Sequence, residues 1–406
     1  MTNRITAKSG GENAPSEGVP EKTKKKKKKR GWLRQKFKVH RKGGWLLYIW
    51  HGMRFGTWWG LLKRGNFDVT LNCIPNILTV TLFSPVNSLL YHISEALFAR
   101  RVAETEIIEP LVFVLGHWRA GTTYLHELLA CDPAFGFPNT YECTFPDHFI
   151  LSEPAVARWF DVFLPKKRPM DNMAAGYDRP YEDEFALCNL GMPSPYMFLA
   201  WPRQGPADED YLDLRDISGA ERRAWIAGFE TLLKRITFRQ KKPLILKSPT
   251  HTARVRTLIE SYPNARFIYI ARDPYKVYAS TINVWKTMNS VQGLHNPARD
   301  DVWLDEFVMK TFVRMFRAYD EDRALVPREN LVEIKYEDLV ADPVGNLKRI
   351  YDQLRLGDFS RAEPYVTDYL SQTGDYQTNV WEMTASRRRE IRARWADYID
   401  RFGYGD

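Results

Sequence analysis

Beyond about residue 107 the chain alternates short, unbroken apolar runs with stretches whose apolar positions recur at helical spacing. LVFVLG (111–116) leads into TTYLHELLA, and PLILKS (243–248) into THTARVRTLIESY. RFIYIARDP (266–274) leads into YKVYASTINVWK, and LVEIKYEDL (331–339) into PVGNLKRIYDQL. Runs without a polar face suit strands covered on both sides, and the helix after each strand supplies the cover. The pattern predicts an α/β fold with a central parallel β-sheet flanked by helices. In such sheets ligands bind beyond the carboxyl ends of the strands, so chemistry is sought in the residues that follow each run.

The first hundred residues read differently. Residues 1–30 are polar and close on KTKKKKKKR; they cannot bury enough apolar surface to offset chain entropy and are expected to be a disordered polybasic tail. Residues 31–106 are expected to form an amphipathic helical region preceding an α/β domain over 107–406. His51 and Arg54 interrupt its first apolar stretch (43–65), and Asn72, Pro75, Asn76, Pro85 and Asn87 interrupt the second (71–98), so no membrane-spanning helix is expected. Trp45, Trp50, Trp58 and Trp59 behind a lysine run suit a peripheral membrane contact through residues 22–65. Helices packed on the body behind a solvated tail, or lysines that meet another polyanion, are the alternatives.

The chain has 406 residues, 44% hydrophobic and 27% charged, which excludes wholesale disorder. Its net charge of +9 is local: thirteen Lys and Arg lie in residues 22–42 without an acid, and setting them aside leaves −4. The basicity belongs to the tail, so no specific nucleic-acid-binding body is expected. Cys73, Cys131, Cys143 and Cys188 form no CxxC pair, which excludes a zinc ribbon or a dense disulfide framework and suits a reducing, cytoplasmic setting.

After the first strand comes Gly116-His-Trp-Arg119-Ala120-Gly121-Thr122-Thr123. It fits a phosphate-binding loop except that Thr122 stands where NTPases carry lysine. The anion cradle survives that change: glycines allow close backbone approach, and a helix starting near Thr122 offers its positive end. The nearest cation is Arg119, whose rigid fork of donors suits a transferring group. A P-loop kinase or NTPase with a displaced lysine fits these residues; a non-catalytic scaffold held by its lysines is another class.

RAGTTYLHELL resembles the 5′-phosphosulfate loop of sulfotransferases that use 3′-phosphoadenosine-5′-phosphosulfate (PAPS), whose motif reads Lys/Arg-Ser-Gly-Thr-Thr; Ala120 replaces the usual Ser. FIYIARDPYKVYAS is similar to the family's 3′-phosphate signature, with Arg272 at a strand end and Ser280 eight positions later. LKSPTHTARV, KYEDLVADP and GDYQTNVWEM extend the likeness over roughly 107–406. The resemblance implies that Arg119, Ala120, Gly121, Thr122 and Thr123 bind the 5′-phosphosulfate, Arg119 also stabilising the transition state. It implies that Arg272 and Ser280 hold the 3′-phosphate, with PAP as the product. Lys247 is expected near the phosphosulfate, with Asn379 and Arg388 as weaker late contacts. No metal is expected, because a singly charged sulfonate needs only Arg and Lys.

Transfer also needs a base near the acceptor's proton. Glu142, 23 residues past Arg119, resembles in placement the glutamate bases of the carbohydrate and tyrosylprotein branches. His117, His126, His148 and Glu184 compete with it. The cluster Glu182-Asp183-Glu184, set among Tyr177, Tyr181, Phe185, Tyr196, Phe198 and Trp201, suits contact with a small-molecule or carbohydrate acceptor, or an insertion packed on the sheet.

Overall fold

The structure is a computed structural model that describes residues 47–160, 176–298, 302–373 and 383–405. The expected polybasic tail, Trp45 and Asn379 lie outside the described residues.

The four apolar runs are the four strands: β1 (Val112–Leu115), β2 (Ile245–Leu246), β3 (Arg266–Ala271) and β4 (Leu331–Lys335). They form one sheet in the order β2-β1-β3-β4, with every neighbouring pair parallel. Central β1 is buried throughout, because both its faces are covered. Phe113, Leu115, Phe267 and Tyr269 face one core, while Val112, Val114, Ile268 and Ile270 face the other. Edge strand β4 alternates instead, with Val332 and Ile334 buried between half-exposed neighbours.

The helices in chain order are α1 (Phe55–Arg64), α2 (Ile74–Ala103), α3 (Thr122–Leu129), α4 (Thr140–Thr144) and α5 (Phe149–Phe160). Next come α6 (Asp183–Leu190), α7 (Gly219–Gln240), α8 (Val255–Ser261), α9 (Pro274–Gln292) and α10 (Val302–Asp322). The last are α11 (Tyr336–Ala341), α12 (Pro343–Leu354), α13 (Glu363–Thr373), α14 (Ala385–Arg394) and α15 (Ala396–Phe402). After β1 the chain returns to β2 on one side of it, and after β3 to β4 on the other. The loops leaving β1 and β3 therefore diverge, which opens a crevice outside the carboxyl ends of these adjacent strands.

The N-terminal segments differ from expectation in two ways. The prolines and asparagines of 71–98 do not break the helix; Pro75 occupies its first turn and Pro85 its interior. Pro85 has no N–H for the Thr81 carbonyl, and the Ser84 hydroxyl donates to that oxygen instead at 3.2 Å. Trp50 and Trp58 are fully buried, so among the described tryptophans of this stretch two are core and Trp59 alone is exposed.

Candidate active site

The loop after β1 turns through three left-handed residues: Gly116 (φ +146°), Arg119 (φ +70°) and Gly121 (φ +106°). An arginine in that region is strained by about 1–3 kcal/mol and is held by its surroundings. Gly116 N–H donates to Thr252 Oγ1 at 2.7 Å, and Thr281 Oγ1 donates to the Trp118 carbonyl at 3.2 Å. Trp118 Nε1 donates to Tyr196 Oη at 2.7 Å, and its ring meets Trp285 edge-on. Gly121 lies under Tyr336, the first residue of α11; a Cβ there would fall 2.2 Å from the Tyr336 ring. Helix α3 then starts at Thr122 with no side chain capping it, so its first N–H groups and positive end face the loop.

Arg272 follows β3 directly, on the other side of the crevice. Tyr398 on α15 clasps its backbone, its hydroxyl lying 2.8 Å from both the N–H and the carbonyl of Arg272. The guanidinium stacks 4.0 Å from the centre of the Tyr336 ring, and Nη1 donates to the Arg119 carbonyl at 2.8 Å. Its Nε is buried without a hydrogen-bond partner. Asp273 does not pair with Arg272; it caps α9, accepting from the N–H groups of Tyr275 and Lys276. Nearly two turns into α9, Ser280 Oγ accepts from Arg119 Nε at 2.9 Å. Arg119 thus contacts both Arg272 and Ser280, bringing the three together.

The acidic cluster at the start of α6 meets the segment after β2 residue by residue. Glu182 pairs with Lys247 at 2.7 Å, Asp183 with His251 at 2.6 Å and Glu184 with Arg254 at 2.6 Å. Only the first pair reaches the loop: Lys247 Nζ lies 3.4 Å from Thr123 Oγ1. Glu182 Oε2 accepts from Tyr196 Oη at 2.6 Å, the same hydroxyl that receives the Trp118 indole. Burial and the neighbouring Glu182 raise the Tyr196 phenol well above its ordinary range, so it stays a donor.

Residues 110–360 match the sequence model of the sulfotransferase family. The chain belongs to the sulfotransferase family. A relative from Mycobacterium tuberculosis, omega-hydroxy-beta-dihydromenaquinone-9 sulfotransferase Stf3, is 41% identical over 372 residues, covering 92% of this chain and 95% of its own. The same enzyme from Mycobacterium bovis matches equally. The fold is similar to that of sulfotransferase STF9 from Mycobacterium avium (TM-score 0.63, 17% identity, 86% of this chain and 96% of that one). It is also similar to STF1 from M. tuberculosis H37Rv (TM-score 0.58, 18% identity, 84% and 90%).

Within this sulfotransferase the remaining candidates, His117 of the loop itself among them, are engaged in packing or capping. Glu142 is the third residue of the short α4 and closes a capping box: its carboxylate accepts from Asn139 N–H, and its N–H donates to Asn139 Oδ1. Gln240 Nε2 donates to both its oxygens at 2.9 Å, and burial pushes the carboxyl up to about 8. The geometry gives Glu142 the task of capping α4. Glu184 is locked between Arg254, Ser194 and Thr250 in a fully buried pair. His117 packs against Phe312 and Trp118, and burial lowers it to about 3. His126 is likewise buried and lowered to about 3. His148 bonds Ser152 and Asn87 beneath α2. Arg388 stacks on Tyr275, early in α9. Sequence reading missed Tyr336 and Tyr398, and it placed Tyr196 among the acceptor-side aromatics without its bonds to Trp118 and Glu182, contacts that appear only when distant segments meet.

Proposed function

We propose that this sulfotransferase moves a sulfuryl group from PAPS to the terminal hydroxyl of a long-chain, apolar alcohol. The observation that carries the donor assignment is the buried, unpartnered Nε of Arg272 beside the Arg119–Ser280 contact. A buried guanidinium N–H without an acceptor is costly, and a phosphate oxygen satisfies it with a charge-assisted bond. ATP carries no 3′-phosphate to put there. Arg272 and Ser280 would therefore hold the 3′-phosphate, while the N–H groups of the 116–123 loop, with Thr122 and Thr123, would cradle the 5′-phosphosulfate.

The donor supplies a sulfuryl group on a good phosphate leaving group. Glu182 takes the acceptor's hydroxyl proton as that oxygen bonds to sulfur and the bond from sulfur to the phosphate oxygen breaks. Arg119 and Lys247 compensate the charge gathering on the departing oxygen. Lys247 contacts both the proposed base and Thr123, so it joins the acceptor and donor sides. Tyr196 orients Glu182 through its second oxygen.

The acceptor class rests on the relative whose name states a hydroxylated menaquinone. Aromatic residues around the loop, Trp285, Phe198 and Phe307 among them, supply apolar surface near Tyr196. Cys131, Cys143 and Cys188 are free thiols, which suits a reducing, cytoplasmic setting. Labelled PAPS offered with a long-chain alcohol, a phenol and a sugar tests the reading. Transfer to the long-chain alcohol is expected, and transfer to the sugar alone would contradict it.

A further inference from the structure

Helix α2 is built inside out. Its buried positions include Ser84, Asn87 and Ser94, while Leu78, Leu82, Val86, Leu89, Ile93 and Leu97 are exposed to solvent. These six recur every three or four residues and form a single stripe along the helix. Leu82 is 73% exposed and Leu89 61%. Between Leu71 and Ala99 the sole Asp, Glu, Lys or Arg is Glu95, which pairs with Arg235 on α7 at 2.8 Å. At about 1.5 Å per residue the stripe from Leu78 to Leu97 is roughly 30 Å long. An exposed apolar face of this length marks a contact surface.

The inner face explains why the helix lies along the body. Asn87 Nδ2 donates to the carbonyls of His51 and Met53, and Thr79 and Thr81 bond His51 and Trp58. At the far end Arg101 stacks on Phe238 of α7. By length and composition α2 is apolar enough to cross a membrane, but crossing would strip these polar groups of partners in hydrocarbon. Lying in the interface keeps them and buries the stripe. Exposed aromatics continue the surface: Phe55 stacks on Trp59, which meets Phe67 edge-on, and Phe55 N–H donates to Ser88 Oγ on α2.

We infer that the outer face of α2, with Phe55, Trp59 and Phe67, docks in the plane of an anionic lipid bilayer. Charge complementarity selects that occupant over a second copy of the chain. The thirteen Lys and Arg of residues 22–42 end only five residues before Leu47 in the sequence, and Lys and Arg near a membrane surface attract anionic headgroups. Arg100 and Arg101, exposed at the end of the helix, add to it. The inference stands apart from the choice of acceptor and places the docking face in α2, whereas the sequence placed it in 22–65.

Flotation of the full chain with phosphatidylglycerol vesicles and with phosphatidylcholine vesicles tests it. Wild type is expected to float with the anionic vesicles, less so at high salt. L82E/L89E is expected to lose at least tenfold in vesicle affinity while keeping its melting temperature and PAP affinity. L82Q/L89Q serves if the charged pair fails to fold, with a smaller loss expected. Glutamine at Lys24–Lys29 should weaken binding to anionic vesicles only. Unchanged vesicle binding by the Leu82/Leu89 variants overturns the inference, as does a soluble dimer that those variants dissociate. PAP binding in the same samples reports the donor reading separately.

Discussion

Arg119 and Ser280 are 161 residues apart along the chain and one hydrogen bond apart in space, the arginine Nε donating to the serine hydroxyl at 2.9 Å. The loop after β1 and the helix after β3 therefore meet side by side, at the wall proposed to bind the donor's phosphates. Arg272 closes it from the same side by donating to the Arg119 carbonyl.

Arg272→Ala is expected to weaken PAP binding about 10- to 100-fold, since a hydrogen bond to a charged group contributes about 1.5–3 kcal/mol. Ser280→Ala should cost about tenfold or less. Calorimetric titration of PAP checks both, and an unchanged affinity in Arg272→Ala would remove that residue from the site.

Gly121→Ala introduces a Cβ 2.2 Å from the Tyr336 ring at a backbone angle of φ +106°. A lower melting temperature and a loss of PAP binding are expected. Adding Tyr336→Ala should relieve the clash but not the backbone strain, giving partial recovery of stability. Full recovery would show that the backbone angle is unimportant.

Three carboxylates separate the proposed base from its neighbours. Glu182→Gln should lower kcat by roughly 10²–10⁴-fold with PAP affinity retained. Glu142→Gln should leave turnover within a few-fold of wild type. Glu184→Ala leaves Arg254 charged, buried and unpaired, and should destabilise the fold by about 3–5 kcal/mol. Rate and denaturation measurements on the three variants decide the assignment; full activity in Glu182→Gln would move the base elsewhere.

Burial raises the Glu142 carboxyl to about 8 from an ordinary 4.5. The folded protein keeps a proton there that the unfolded chain releases. Its contribution to stability is full below the unfolded value and disappears as pH climbs to about 8. The urea midpoint should therefore fall between pH 5 and pH 9 more steeply in wild type than in Glu142→Gln. Equal slopes would contradict the raised value.

The strands and the donor loop were legible because their signals are local. A strand buried on both faces must be apolar throughout, and a loop that wraps an anion needs Gly121 beside its helix start. The pairing of each carboxylate with its cation was not legible. Glu182, Asp183 and Glu184 are adjacent and chemically alike, and what distinguishes them is the cation each meets: Lys247, His251 or Arg254. Glu182 precedes α6 while the other two lie in its first turn, so it alone turns toward the loop. The capping task of Glu142 was hidden because a capping carboxylate three residues past Asn139 looks, in sequence, like one set among aromatics for catalysis. Helix α2 misled for the opposite reason, since asparagine and serine that read as interruptions are its inward face.

The most direct test of the account compares PAP with ATP–Mg as ligands of the wild-type chain by thermal shift. PAP without magnesium is expected to raise the melting temperature, and Arg272→Ala to abolish that rise. A rise with ATP–Mg and none with PAP would contradict the two-phosphate pocket.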